Sequence, residues 1–102
     1  MRNAVIIDDA DNVVVAIEPL EAATLVTYVA RAGETHEIVT TQPIPLYHKI
    51  ARVPIPQGGK VIKYGEYIGL ATQDIHPGDH VHVHNCVSTD RLREEVEDGQ
   101  KL

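Results

Sequence analysis

"QPIPLYHKIA" (residues 42–51), "VPIPQGGKVI" (53–62) and "QDIHPGDHVH" (73–82) repeat one pattern three times. Each places an isoleucine one or two residues before a proline, then takes a polar step into an apolar run. Proline fixes φ and lacks an amide donor, so it belongs at the start or edge of a strand and not at its centre. Gly58 and Gly78 free the turn in two of the three copies. The pattern predicts a compact, mainly β body of short strands with proline-rich corners. It is too short to be a solenoid repeat.

Outward from this region the chain keeps the same character. "NAVIIDDADNVVVAI" (3–17) has two β-branched runs around an Asp/Asn cluster. Such side chains hydrogen-bond nearby backbone and make turns, so a hairpin is expected over roughly 4–7 and 13–17. "EPLEAATLVTYVARAG" (18–33) mixes helical and strand composition; a turn through Pro19 to Ala23 and a strand to about Val29 fit it best. A turn at Gly33 precedes another short strand, and "YGEYIG" (64–69) leads into a strand over about 67–72. "STDRLREEVEDGQKL" (88–102) predicts a short acidic C-terminal helix or tail, capped by Ser88 or Asp90, with Leu92 and Val96 on one face and Gly99 as its stop. The expected organisation is a β domain over 1–87 followed by this tail over 88–102.

Bulk properties exclude classes of function. The chain has 102 residues, 43% hydrophobic and 24% charged, which suits one soluble domain with a modest core. It has no Trp or Phe, so that core is aliphatic. No run approaches the roughly 20 apolar residues of a membrane span, and "MRNAVIIDDADN" turns acidic too early for a signal peptide. A formal charge of −6 with scattered basic residues argues against nucleic acid. A single cysteine staples nothing, and a reducing compartment, the cytoplasm, is expected.

"HPGDHVHVHNC" (76–86) concentrates four of the six histidines. Alternation puts His80, His82 and His84 on one face of a strand and Val81 and Val83 on the core side. Same-face Cα atoms are about 6–7 Å apart, so two imidazoles converge on one metal more easily than three do. His82 and His84 are the sharper metal pair. Substrate contact without metal and a solvated polar face remain alternatives. Asn85 is suited either to a turn or to orienting a histidine or a substrate hydroxyl. Cys86 has the features of a small buried residue. Lys60, Lys63 and Glu66 suit an anion site or ordinary surface, while His36, His48 and His76 look incidental. There is no HExxH, P-loop or GxGxxG signature.

The run "PIPQGGKVIKYGEYIGLATQDIHPGDHVHVHN" (54–85) resembles the small N-terminal region of the altronate/galactarate dehydratase family and the small subunit of the related sulfolactate sulfo-lyase. The signatures are "GxxVxKYGxxIGxA" followed by "PGxHVHxHN", matched here from "KVIKYGEYIG" at Lys60 to Asn85, with looser agreement back to Val5. The acidic tail carries none of it. The resemblance implies a SAF domain of β-clip fold within a two-part enzyme. Such enzymes eliminate water from a sugar acid, or sulfite from sulfolactate, and usually use a divalent metal, commonly iron. The large catalytic subunit would hold most of the machinery and much of the metal's coordination. His82 and His84 are then expected in supporting catalytic or metal-side roles. His80, Asn85 and Lys63 are expected to contact a carboxylate substrate.

Elimination beside a carboxylate needs a base for the C–H proton, a cation for the developing enediolate and an acid for the leaving group. One short β domain does not readily supply all three, which fits a divided site. The competing expectation is a non-catalytic β-clip module that binds carbohydrate or a protein partner. Exposed strand edges also make a homodimer of the isolated chain an expectation.

Overall fold

An aliphatic residue entering a tight turn makes the same corner four times in the computed structural model, which describes residues 2–89. Leu20 bridges Ile44, and Ile55 bridges Ile75. Each pair exchanges both backbone hydrogen bonds at 2.8–2.9 Å. Three residues beyond each aliphatic anchor, the backbone turns left-handed: Ala23 (φ 62°), Tyr47 (66°), Gly58 (82°) and Gly78 (93°). The amides of these four residues donate to the carbonyls of Thr40, Ala16, Ala71 and Ala51 respectively. Positive φ at the third turn position is the type II arrangement.

The three copies seen in the sequence are therefore joined by a fourth, in "EPLEAATLV". It carries neither glycine nor a proline after its anchor, so its kinship is visible only in the backbone. Leu20, Ile44, Ile55 and Ile75 are all buried, and burying each contributes about 1.5–3 kcal/mol.

Nine short strands connect these corners among the described residues. β1 (Ala4–Val5), β2 (Val13–Ala16), β5 (Lys49–Ala51) and β8 (His80–Val81) form one antiparallel sheet in the order β1-β2-β5-β8. β3 (Leu25–Val29) and β4 (Thr35–Val39) form a hairpin, and β6 (Lys60–Lys63), β7 (Glu66–Ala71) and β9 (Cys86–Ser88) form a third sheet. Two aliphatic clusters fill the interior. One gathers Val14, Val26, Ile44 and Ile50 around Tyr28; the other gathers Val13, Ile55, Val61, Ile75 and Val81. The mainly β, SAF-like β-clip architecture expected from the sequence is observed.

The Asp/Asn loop does more than turn. Asp11, 3% exposed, accepts from the Asp8 amide at 3.1 Å and from the Gly65 amide at 2.7 Å. Asn12 donates to the Lys60 carbonyl and accepts from the Ile62 amide. These bonds staple the β1–β2 loop onto the β6–β7 hairpin. Tyr64 (φ 56°) and Gly65 (φ 73°) make that hairpin's two-residue connection, the left-handed pair that matches strand twist.

Ser88 ends β9, and Asp90, Leu92, Val96 and Gly99, on which the expected C-terminal helix rests, lie outside the described residues. No helix among the described residues is long and apolar enough to cross a membrane.

Candidate functional site

β5 is an inner strand of its sheet, paired with β2 on one side and β8 on the other. Pairing with β8 stops after Ile50↔His80 and Lys49↔Val81. The next residue, His48, has its backbone committed elsewhere: its amide donates to the Pro45 carbonyl, and its carbonyl accepts from the Ala16 amide. With no ladder to continue, the chain turns over residues 82–85. Asn85, 2% exposed, closes the turn. Its side-chain oxygen accepts from the His82 amide at 3.0 Å and its nitrogen donates to the His80 carbonyl at 2.8 Å.

This early stop corrects the simple alternation. Val81 is fully buried, as expected, but Val83 is 81% exposed and lies outside any strand. The histidines gather by a turn and not along one strand face.

The turn also brings in His48, which looked incidental in the sequence. His48 Nδ1 lies 2.8 Å from His80 Nε2. The His48 ring centroid is 4.4 Å from that of His82, and the rings of His80 and His82 stack at 5.5 Å with 9° between planes. One nitrogen from each of His48, His80 and His82 lies within 4.8 Å of the other two. Nitrogen ligands of a tetrahedral metal, with bonds of 2.0–2.1 Å, sit roughly 3.4 Å apart. The three half-buried imidazoles thus form a cluster capable of coordinating a metal ion. His84 is exposed; its ring lies 5.2 Å from His80 but is not one of the three.

The surroundings of His80 and His82 favour their neutral form, the one that ligates a metal. Burial, then the nearby His48, His84, His82 and Lys49, lower the His80 pKa to about 4. Burial, His48, Lys49 and His84 lower that of His82. Two ring nitrogens 2.8 Å apart also admit only one proton between them, since two facing N–H groups would repel.

His82 forms the boundary between this cluster and an open cleft of about 420 Å³. Its other lining residues are Lys49, Ile68, Thr72, Val83, Cys86, Val87 and Ser88. Burial, followed by the charge of Lys63, holds the Lys49 pKa below its ordinary value. Burial raises that of the Cys86 thiol, with Lys49 opposing, so Cys86 stays a thiol at neutral pH. Lys63 is half-buried and outside the cleft lining, with its ammonium 4.8 Å from the Tyr64 ring centroid. Glu66 faces Lys63 across the hairpin without an ion pair among the described residues.

Of the residues singled out in the sequence, His80, His82 and Asn85 come together at one turn, His84 lies at its exposed edge and Lys63 stands apart on β6. His48 and Lys49 were missed. The only hint was their place in the repeat, where Tyr47 to Lys49 align with Gly78 to His80.

A family model described as the altronate/galactarate dehydratase SAF domain matches residues 2–89. The (2R)-sulfolactate sulfo-lyase subunit alpha of Chromohalobacter salexigens is 38% identical over 83 residues, covering 78% of this chain and 88% of the relative. Altronate dehydratases of Escherichia coli and Bacillus subtilis are 40% and 33% identical over 75 and 85 residues. Those alignments cover 74% and 83% of this chain but only 14% and 16% of the relatives.

Proposed function

The chain belongs to the altronate/galactarate dehydratase SAF-domain family, and from that premise we propose that it is the small, non-autonomous part of a lyase acting on a hydroxy-carboxylate. The substrate is a sugar acid such as altronate or galactarate, and the elimination of water is completed by a large catalytic subunit. The observation that carries this reading is the gathering of one ring nitrogen each from His48, His80 and His82 within 4.8 Å, with His82 also lining an open cleft.

His82 faces both the cluster and the cleft, which suits it to the substrate and metal side of the site. His84, exposed beside His80, is available to substrate or to the partner subunit. His80 and Lys63 supply supporting donors, and Asn85 fixes the spacing of the two histidine backbones. A divalent metal, iron by the family resemblance, would supply Lewis-acid stabilisation of the developing enediolate when bound. The neutral imidazoles fit such an ion. The large subunit would provide its remaining ligands and the base.

Co-expression with the large subunit, followed by metal analysis and elimination assays on altronate, galactarate and sulfolactate, tests the proposal. Turnover of a sugar acid by the complex, with none by either part alone, is expected. Turnover of sulfolactate alone would make the protein a sulfo-lyase subunit. Turnover by the isolated chain, or by none of the combinations, would overturn the divided-site reading.

A further inference from the structure

Lys49 has a place in the fold that the cluster does not explain. It sits on an inner strand of its sheet, with its backbone registered against Val15 on one side and Val81 on the other. Its neighbour Ile50 is fully buried in the core. Alternation therefore sends the lysine to the opposite face, where it lines the cleft. It is half-buried, and among the described residues no carboxylate lies within ion-pair distance of it. No Asp or Glu appears among the described residues lining the cleft.

The charge of a second lysine, Lys63, also acts on it. In a chain of net charge −6 this cleft thus holds a cation and, among its described lining residues, no anion. A half-buried ammonium without an anion is costly unless something from outside completes it.

We propose that Lys49 is the anchor for the carboxylate of a small polyhydroxy acid bound in this cleft. The lining fits that ligand. Thr72 adds a hydroxyl-bearing side chain to the same lining, and Ile68, Val83 and Val87 offer apolar wall for a carbon chain. No arginine lines the cleft among the described residues, so its lining lacks the two-pronged fork that favours phosphate, while a single lysine suffices for a carboxylate. His82, on the same wall, sets the distance between the anchored end and the imidazole cluster. The assignment deepens the lyase reading and rests on it only for the role of the bound acid.

Gluconate, with sorbitol as its uncharged counterpart, tests the anchor by nuclear magnetic resonance on the full chain. Gluconate at concentrations on the order of 10 mM should shift the Lys49 side-chain resonances and the amides of Cys86 to Ser88 saturably. Sorbitol should not. Lys49→Gln should weaken gluconate binding at least about tenfold, Lys49→Arg should restore part of it, and Lys63→Gln should weaken it less. The side-chain shift is read on the unaltered chain, so the test stands if Lys49→Gln fails to fold.

Unmoved Lys49 resonances overturn the proposal, as does equal binding of sorbitol or undiminished binding by folded Lys49→Gln. Lys49 already neutralised by a carboxylate of its own chain would give the first of these. Gluconate binding that persists when no assembled complex shows elimination removes the lyase reading and leaves the anchor. An active complex whose Lys49→Gln form keeps its KM removes the anchor and leaves the lyase reading.

Discussion

Asn85 takes over where the β5–β8 ladder ends, bonding the backbones of both His80 and His82. Asn85→Ala would leave a buried amide and a carbonyl without partners, and we expect a loss of about 1–3 kcal/mol in urea unfolding. Asn85→Asp keeps the acceptor for His82 and loses the donor to His80, so it should fall between the two. His80 makes a separate prediction about pH. Its folded pKa of about 4 lies below the 6.5 of a free imidazole, so between those values the unfolded chain binds more protons. Stability of the metal-free protein is then full above about pH 6.5 and declines as pH falls towards 4. A His80 ring that titrates near 6.5 by nuclear magnetic resonance would contradict this. His80→Gln should flatten that part of the pH–stability curve.

The four clip corners share one backbone shape but differ in what surrounds it. At Gly58 an added Cβ would meet nothing within 4 Å, whereas at Gly78 it would run into the Val39 carbonyl oxygen. Gly58→Ala should therefore cost only the left-handed conformation, about 1 kcal/mol. Ala23 and Tyr47 already hold that conformation at the matching positions. Gly78→Ala should cost clearly more, because backbone must move; equal losses in thermal unfolding would contradict the shared-corner account.

These corners also mark what could be read from sequence. Proline and glycine announced three of them, because those residues constrain the backbone by covalent geometry. The turn from Pro19 to Ala23 was expected, but its likeness to the other three corners was silent, since an alanine held left-handed by its amide bond to Thr40 looks like any alanine. Val83 misled for a related reason: alternation describes a strand only while a partner strand is there to pair with, and His48 had no backbone groups left to offer. Long-range placement hid His48 and Lys49, whose company with His80 and His82 depends on β5 and β8 being neighbours.

Across the whole molecule, two aliphatic clusters flank the sheet whose inner strand β5 carries Lys49, with His48 just before it. The site is therefore built on a strand paired on both sides and opens outward into a cleft. The same arrangement places the histidines where ligation stabilises the fold: saturating Zn²⁺ or Co²⁺ should raise the midpoint of thermal unfolding of the unaltered chain, and His48→Ala should abolish that rise. His36, stacked on Tyr28 in the β3–β4 hairpin, lies outside the cluster.

Turnover and metal content of the assembled enzyme carrying His48→Ala, beside His36→Ala as control, test the central claim most directly. The account predicts that His48→Ala lowers kcat/KM by at least about 100-fold while assembly is retained, with His36→Ala near the unaltered enzyme. Unchanged turnover and unchanged metal content in His48→Ala would contradict it.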